Sequence, residues 1–350
     1  MPDHLVAFLV AAIVVLWCTP IVKKIGLKSG YVDLPNPRKV HQRPMVRLGG
    51  IAIFFGNICA WLILWISGRF SGLPLPFKYE LLGVTIGALC FFLIGLLDDL
   101  FTLSPILRLV LQISVAVMAW KFGVSIDFFT IPFYGLIKFH WMLSLGVTVF
   151  WLVGIANAMN FMDGLDGLAA GIAGIAAVIM LMVCLSVNQP IAALLAAALA
   201  GGALGFLRYN FNPAQIFMGD GGAYFMGFTV AGVGIIGLVK SVTAVAVALP
   251  FLILAVPIID TSTVVVDRLL RGKSPFAADK RHLHHRLLQA GLSQRSIVLF
   301  IYSLAFWVGS LAIAVSDMPG AKAYALGASF LLIYSSWQVW RRIRENRATE

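Results

Sequence analysis

The stretch Asn157-Ala158-Met159-Asn160-Phe161-Met162-Asp163-Gly164-Leu165-Asp166-Gly167-Leu168 decides the fold. It sets two carboxylates and two amides between apolar runs that are each long enough to cross a bilayer. An acid at membrane depth costs about 2.5–3.5 kcal/mol on insertion scales, so it marks a functional site by default. Asp163 and Asp166 are three apart and on a helix would share a face. Gly164 and Gly167 would let a ligand or a neighbouring helix approach that backbone closely.

Working outward, the 350-residue chain is 60% hydrophobic and 12% charged, which excludes an ordinary soluble globule. It reads as an all-α polytopic membrane protein, a single domain over 1–350. A span needs about 20 mostly apolar residues. About eleven segments qualify: 5–22, 48–67, 79–97, 105–124, 141–158, 167–187, 190–207, 221–239, 243–266, 296–315 and 321–339. Segment 243–266 contains Pro250 and Pro257 and is expected to be kinked or broken. Segment 125–140, rich in aromatic and β-branched residues around Pro132 and Gly135, reads equally as a short external β-hairpin or an interfacial loop. Cys18, Cys59, Cys90 and Cys184 sit in apolar runs without metal-ligand spacing, so they read as small core residues. The first apolar run lacks a basic leader and cleavage site and reads as a retained helix.

The formal charge of +11 concerns topology here, not nucleic acid. Of 26 Lys and Arg, 20 fall on one side: in loops 23–47 and 267–295, in the tail after Trp340, and at Arg108 and Arg208. The positive-inside rule puts that side in the cytoplasm, the N-terminus outside and the C-terminus inside. Asp98, Asp99, Asp163, Asp166 and Asp220 fall on the same side. A transporter tends to place its ionisable residues near the bilayer midplane. Acids gathered at one interface favour an enzyme working at the cytoplasmic face.

Four more elements carry chemistry. Adjacent Asp98-Asp99 at the end of the third span could hold a divalent cation or supply a base. In Asn210-Phe211-Asn212-Pro213-Ala214-Gln215-Ile216-Phe217-Met218-Gly219-Asp220-Gly221-Gly222, an acid among glycines before a new span suits phosphate or metal-phosphate binding, or simply caps a helix. Lys280-Arg281-His282-Leu283-His284-His285-Arg286 suits an anion site better than a metal site. The loop from Arg38 to Gly50, with Lys39, His41, Arg43 and Arg47, suits an anionic group but also reads as a topogenic loop. The active site is expected from loops 23–47, 98–104, 159–166, 208–220 and 267–295. Together these acids, histidines and cations imply Mg²⁺ (Mn²⁺ as the alternative) shared with substrate phosphates, hence phosphoryl transfer to or from a lipid.

Asp98-Asp99, Asn160-x-x-Asp163-Gly-x-Asp166-Gly, Phe217-Met-Gly-Asp220 and His282-x-His284-His285, in this order, resemble the polyprenyl-phosphate N-acetylhexosamine-1-phosphate transferases, glycosyltransferase family 4. The resemblance implies transfer of a sugar 1-phosphate from a UDP-N-acetylhexosamine to undecaprenyl phosphate, with Mg²⁺, releasing UMP. It implies Asp220 as the metal ligand, with Asp98, Asp99 and Asp163 as catalytic residues. One of the Asp98-Asp99 pair would be the base for the lipid phosphate, and Asp163 and Asn160 would lie near the diphosphate. Asp166, Asn210 and Phe217 would form a uridine pocket, and Lys39, His41, His282, His284 and His285 would bind substrate. It further implies a bacterial inner membrane and a homodimer.

The eleventh span, the basic tail and the His-Leu-His-His form fit the N-acetylglucosamine branch better than the muramoyl-pentapeptide translocases of peptidoglycan synthesis, the rival reading. One departure is Gly222-Ala223, where many relatives carry Gly-Ser. A lipid-phosphate or nucleotide-sugar transporter is the alternative of another class.

Overall fold

The computed structural model describes residues 1–33, 44–131, 135–239, 244–272, 282–315 and 320–349. Lys39 and His41 lie outside the described residues. Helices α1 (Asp3–Lys28), α2 (Gly49–Ile66), α3 (Leu75–Phe101) and α4 (Pro105–Lys121) come first, with a two-residue ladder of β1 (Val32–Asp33) and β2 (Met45–Val46) between α1 and α2. The hairpin β3 (Phe128–Ile131) and β4 (Gly135–Lys138) is antiparallel, pairing Phe128 with Lys138 and Ile131 with Gly135. It is therefore the hairpin alternative that this segment adopts. Helices α5 (Trp141–Met162), α6 (Leu168–Ser186), α7 (Pro190–Asn210) and α8 (Gly219–Gly234) follow, α8 running on as a π-turn over Ile235–Val239. The chain closes with α9 (Ala244–Ile253), α10 (Ala255–Leu270), the short α11 (Leu283–Gln289), α12 (Gln294–Val315) and α13 (Ala321–Thr349).

The protein is a helical, multi-pass membrane protein. Among the described residues, α1, α2, α3, α5, α6, α7, α8 with its π-turn, and α12 are long and apolar enough to span a bilayer. The other three expected segments are helical too, but in other forms. Helix α4 has 17 residues. Segment 243–266 is divided between α9 and α10 at Leu254, between Pro250 and Pro257, where each proline removes a backbone donor. Helix α13 begins apolar and ends in an arginine-rich stretch.

Among the described residues, five helices pack around α8. Residues from Gly221 to Val239 are all buried, and α8 touches α2, α3, α5, α6 and α7. A helix apolar on every side belongs in the middle of a bundle. Close approach is made by small residues, as expected where lipid offers no hydrophobic drive between helices. A Cβ on Gly95 of α3 would lie 2.4 Å from the Asp220 carbonyl, and one on Gly50 of α2 would lie 2.2 Å from the Gly222 nitrogen. Helix α1 meets α7 in the same way, with the Gly201 position 2.1 Å from the Phe8 carbonyl.

Asp163 and Asp166 do not share a helix face, because α5 ends at Met162 and residues 163–167 form a turn. Gly167 adopts φ +80°, a conformation open to glycine, and α6 starts after it.

Candidate active site

The site is assembled where α3 and α5 end and α8 begins. Asp98 and Asp99 close α3, where carboxylates oppose the helix dipole. Each is compensated from outside. Asp98 is buried, accepts the Leu103 N–H at 2.8 Å and pairs with Arg108 on the first turn of α4. Asp99, its side chain 2% exposed, accepts the backbone N–H groups of Asp220 and Gly221, both at 3.0 Å. It thus occupies the anion position at the N-terminus of α8. Gly219 makes this approach with φ +76°, and a Cβ there would lie 2.6 Å from Asp99 Oδ2.

Asp220 stands on the first turn of α8. Its Oδ1 accepts Asn160 Nδ2 at 2.8 Å and lies 3.5 Å from Arg47 Nη2, which is also 3.8 Å from Asp99. Asp98 also acts electrostatically on Asp220. Arg47 is held by its neighbours: Phe217 N–H donates to the Val46 carbonyl, and Gly49 and Gly50 N–H donate to the carbonyls of Phe217 and Met218. These bonds also place Phe217 beside the start of α8.

Asp163 follows the last turn of α5, its N–H donating to the Asn160 carbonyl at 3.1 Å. Burial, then the negative charge of Asp220, pushes its carboxyl up to about 7, with Arg47 opposing. Among the described residues no hydrogen bond is donated to that carboxylate. Asp166 and Asn210 are instead engaged by the adjoining loop. Asp166 Oδ2 accepts Ala214 N–H at 2.9 Å and Asn212 Nδ2 at 3.0 Å. Asn210 accepts Gly167 N–H at 3.0 Å and donates to the Ile216 carbonyl at 2.9 Å. The two side chains tie turn 163–167 to segment 211–216.

The histidines approach from α11. His284 is buried, and a Cβ on Gly164 would lie 2.5 Å from its Nε2, so this glycine admits the ring. Burial, with His285 and His282 adding to it, holds the His284 imidazole down to about 3, so the ring is neutral. His282 stacks on it with ring centroids 5.7 Å apart, and the His285 ring centroid lies 4.3 Å from it.

The donor set is all oxygen, which selects a hard cation. Among the described residues no three His, Cys, Asp or Glu side chains form a metal cage. Both Asp99 oxygens are bound to backbone, and Asp98 is held by Arg108 and Leu103. Asp220 and Asp163 retain free lone pairs. That fits Mg²⁺ as it usually binds, on one or two carboxylates with substrate phosphates completing the shell.

Beside the cluster, a cavity of about 680 Å³ opens between α4, α5, α9 and α10. Its lining is mainly apolar, including Phe150, Trp151, Phe251 and Val265, and it reaches Asn157, one turn before Asn160, and Phe161, the residue after it.

Two charged residues were not singled out by the sequence reading as site members. Arg108 and Asp260 are ionisable groups inside apolar runs, the signal that marked Asp163, and would have been found by applying it throughout. Arg47 was read only as one of several cations in a basic loop suited to an anionic group, and the structure singles it out by placing it 3.5 Å from Asp220.

The chain matches the model of the glycosyl transferase family 4 over residues 81–238. It is 41% identical over 302 residues to a Bacillus subtilis protein named "Probable undecaprenyl-phosphate N-acetylglucosaminyl 1-phosphate transferase", covering 86% of this chain and 82% of the relative. It is 34% identical to the decaprenyl-phosphate N-acetylglucosaminephosphotransferase of Mycolicibacterium smegmatis, covering 93% of this chain and 85% of that one. To the undecaprenyl-phosphate alpha-N-acetylglucosaminyl 1-phosphate transferase of Pasteurella multocida it is 30% identical, covering 98% and 96%. The acid cluster at the head of α8 thus lies within a chain that belongs to glycosyl transferase family 4.

Proposed function

We propose that the protein transfers N-acetylglucosamine 1-phosphate from UDP-N-acetylglucosamine to undecaprenyl phosphate, releasing UMP. The observation that carries this reading is Asp220, set at the start of α8 among Asp98, Asp99, Asn160 and Arg47. Phosphoryl transfer needs positioning and charge neutralisation more than covalent chemistry. Asp220 and Asp163 would hold Mg²⁺, which when bound neutralises phosphate charge. Arg47, half-exposed over the acids, would bind a phosphate oxygen, and Asp98 or Asp99 would serve as base for the lipid phosphate.

The polyprenyl chain would lie in the apolar cavity beside Asn157 and Phe161. Phe217 would stack on uracil, with Asp166 and Asn210 shaping that pocket, while Asn160 and the histidines would bind the rest of the donor. Lys39 and His41 belong to the same reading as substrate-binding residues of the first cytoplasmic loop. The single domain then works at the cytoplasmic face of a bacterial inner membrane, with the N-terminus outside, and two copies would form the homodimer.

The test is UMP release from membranes given undecaprenyl phosphate and either UDP-N-acetylglucosamine or UDP-N-acetylmuramoyl-pentapeptide. Release with the first alone is the expected result. Release with the second alone would replace this reading with that of the peptidoglycan translocase, and nucleotide-sugar flux across vesicles without UMP would replace it with a transporter.

A further inference from the structure

Helix α10 carries one acid into the interior near the histidines. Asp260 Oδ2 lies 2.8 Å from His282 Nδ1, and Asp260 Oδ1 accepts the Leu283 N–H at 2.7 Å. Both side chains are more than nine-tenths buried, at 8% and 6% exposure. A carboxylate facing Nδ1 requires the proton on that nitrogen and turns Nε2 to the opposite edge of the ring. The second bond, to the backbone of α11, fixes the helix that carries the imidazole. His282 in turn stacks on His284, whose buried Nε2 has no hydrogen-bond partner among the described residues and faces Gly164. Contacts therefore run from Asp260 through His282 and His284 to the turn that bears Asp163.

We infer that Asp260 is a positioning residue of the transfer reaction: it sets the tautomer of His282 and seats the histidine helix α11 against the Asp163-Gly164 turn. The inference rests on the reading of these histidines as donor-binding groups. An orienting partner behind a metal-bound imidazole is worth about tenfold to a hundredfold in affinity or activity, and an effect of that order is expected for this carboxylate behind a substrate-binding imidazole. Asparagine at 260 can still accept from Leu283, but its amide cannot favour the Nδ1–H tautomer as a carboxylate does.

The experiment uses full-length protein in lipid nanodiscs, comparing Asp260→Asn, Asp260→Glu, His282→Gln and the Asp260→Asn/His282→Gln double variant. UMP release gives kcat and KM for UDP-N-acetylglucosamine, thermal melting gives the folded fraction, and ¹⁵N-imidazole spectra give the His282 tautomer. Asp260→Asn is expected to raise KM at least tenfold with a smaller change in kcat. Asp260→Glu should recover part of that loss, and the double variant should be no worse than the poorer single one. The wild type should show a protonated Nδ1 on His282. Wild-type kinetics in Asp260→Asn, or losses that multiply in the double variant, would overturn the inference. Losses that follow the folded fraction alone would do the same. Wild-type protein that releases no UMP with either nucleotide sugar would remove the transfer reading instead. In that case the ¹⁵N spectrum decides the present point by itself, and an unprotonated Nδ1 overturns it. If Asp260→Asn fails to insert, Asp260→Glu and the wild-type spectrum carry the same decision.

Discussion

Asp99 and Asp220 meet through backbone: the Asp99 carboxylate, on α3, accepts the N–H of Asp220 and that of Gly221 at the head of α8. A side chain that reads as catalytic in sequence therefore also caps the central helix of the bundle. The Asp220 side chain is left for other partners.

This arrangement separates two substitutions that look alike in sequence. Asp99→Asn offers one acceptor oxygen to two N–H groups, so it should cost about 1–2 kcal/mol of stability. It should also lower UMP release at least tenfold. Asp220→Asn keeps its own N–H and relieves charge among crowded acids, so turnover should fall as far while the melting temperature holds. Melting curves and UMP release on both proteins check this, and equal melting temperatures would contradict the capping role of Asp99.

Helix α8 tolerates no side chain where α2 and α3 cross it. Gly95→Ala and Gly50→Ala place a Cβ 2.4 Å and 2.2 Å from backbone atoms of residues 220 and 222, which cannot swing aside. Overpacking of this kind costs about 1–3 kcal/mol or more, and both variants should give a reduced yield of folded protein. Gly327→Ala on α13, whose Cβ would meet nothing within 4 Å, should behave as wild type. Detergent-resistant yield by size exclusion reads all three.

Acid should loosen the histidine helix. The His284 ring is held down to about 3 by burial and by His285 and His282, against an unfolded value near 6.5. Between those values the unfolded chain binds more protons, so stability is complete above about pH 6.5 and falls as pH drops toward 3. Thermal melts from pH 7.5 to 5 should show this decline, and His284→Gln should flatten it. An unchanged slope in that variant would assign the decline to other groups.

The loop at 211–216 should depend on Asp166 and Asn210 before any substrate is present. Asn210→Ala leaves the Gly167 N–H and Ile216 carbonyl without their partner, at a cost of about 1–3 kcal/mol. Asp166→Ala frees Ala214 and Asn212 in the same way. Both should raise KM for the nucleotide sugar more than they lower kcat. Hydrogen exchange at residues 211–216 would show the loosening directly, and unchanged protection would sink the proposed tie.

Much of the architecture was legible from order and hydropathy. The apolar runs became helices and the prolines at 250 and 257 bracket a break, while the aromatic stretch after Ser125, open between hairpin and loop, was decided as a hairpin by the fold. The gathering of Asp98, Asp99, Asn160, Asp163 and Asp220 was legible too, because acids are too costly at bilayer depth to be placed there without use. Whether Asp163 and Asp166 share a helix face was not legible from their spacing, because α5 ends at Met162 and residues 163–167 turn before α6 begins.

What the sequence determined by itself was which apolar segments form the helices of the bundle and which segment ends carry the acids, since both follow from local composition. What only the tertiary structure decided was how the acids divide their work. Asp99 reaches a backbone 121 residues away, Asp166 commits one oxygen to a loop 48 residues on, and Asp260 grips His282 from 22 residues before it. Such bonds depend on which helix ends come together, and no local periodicity encodes that.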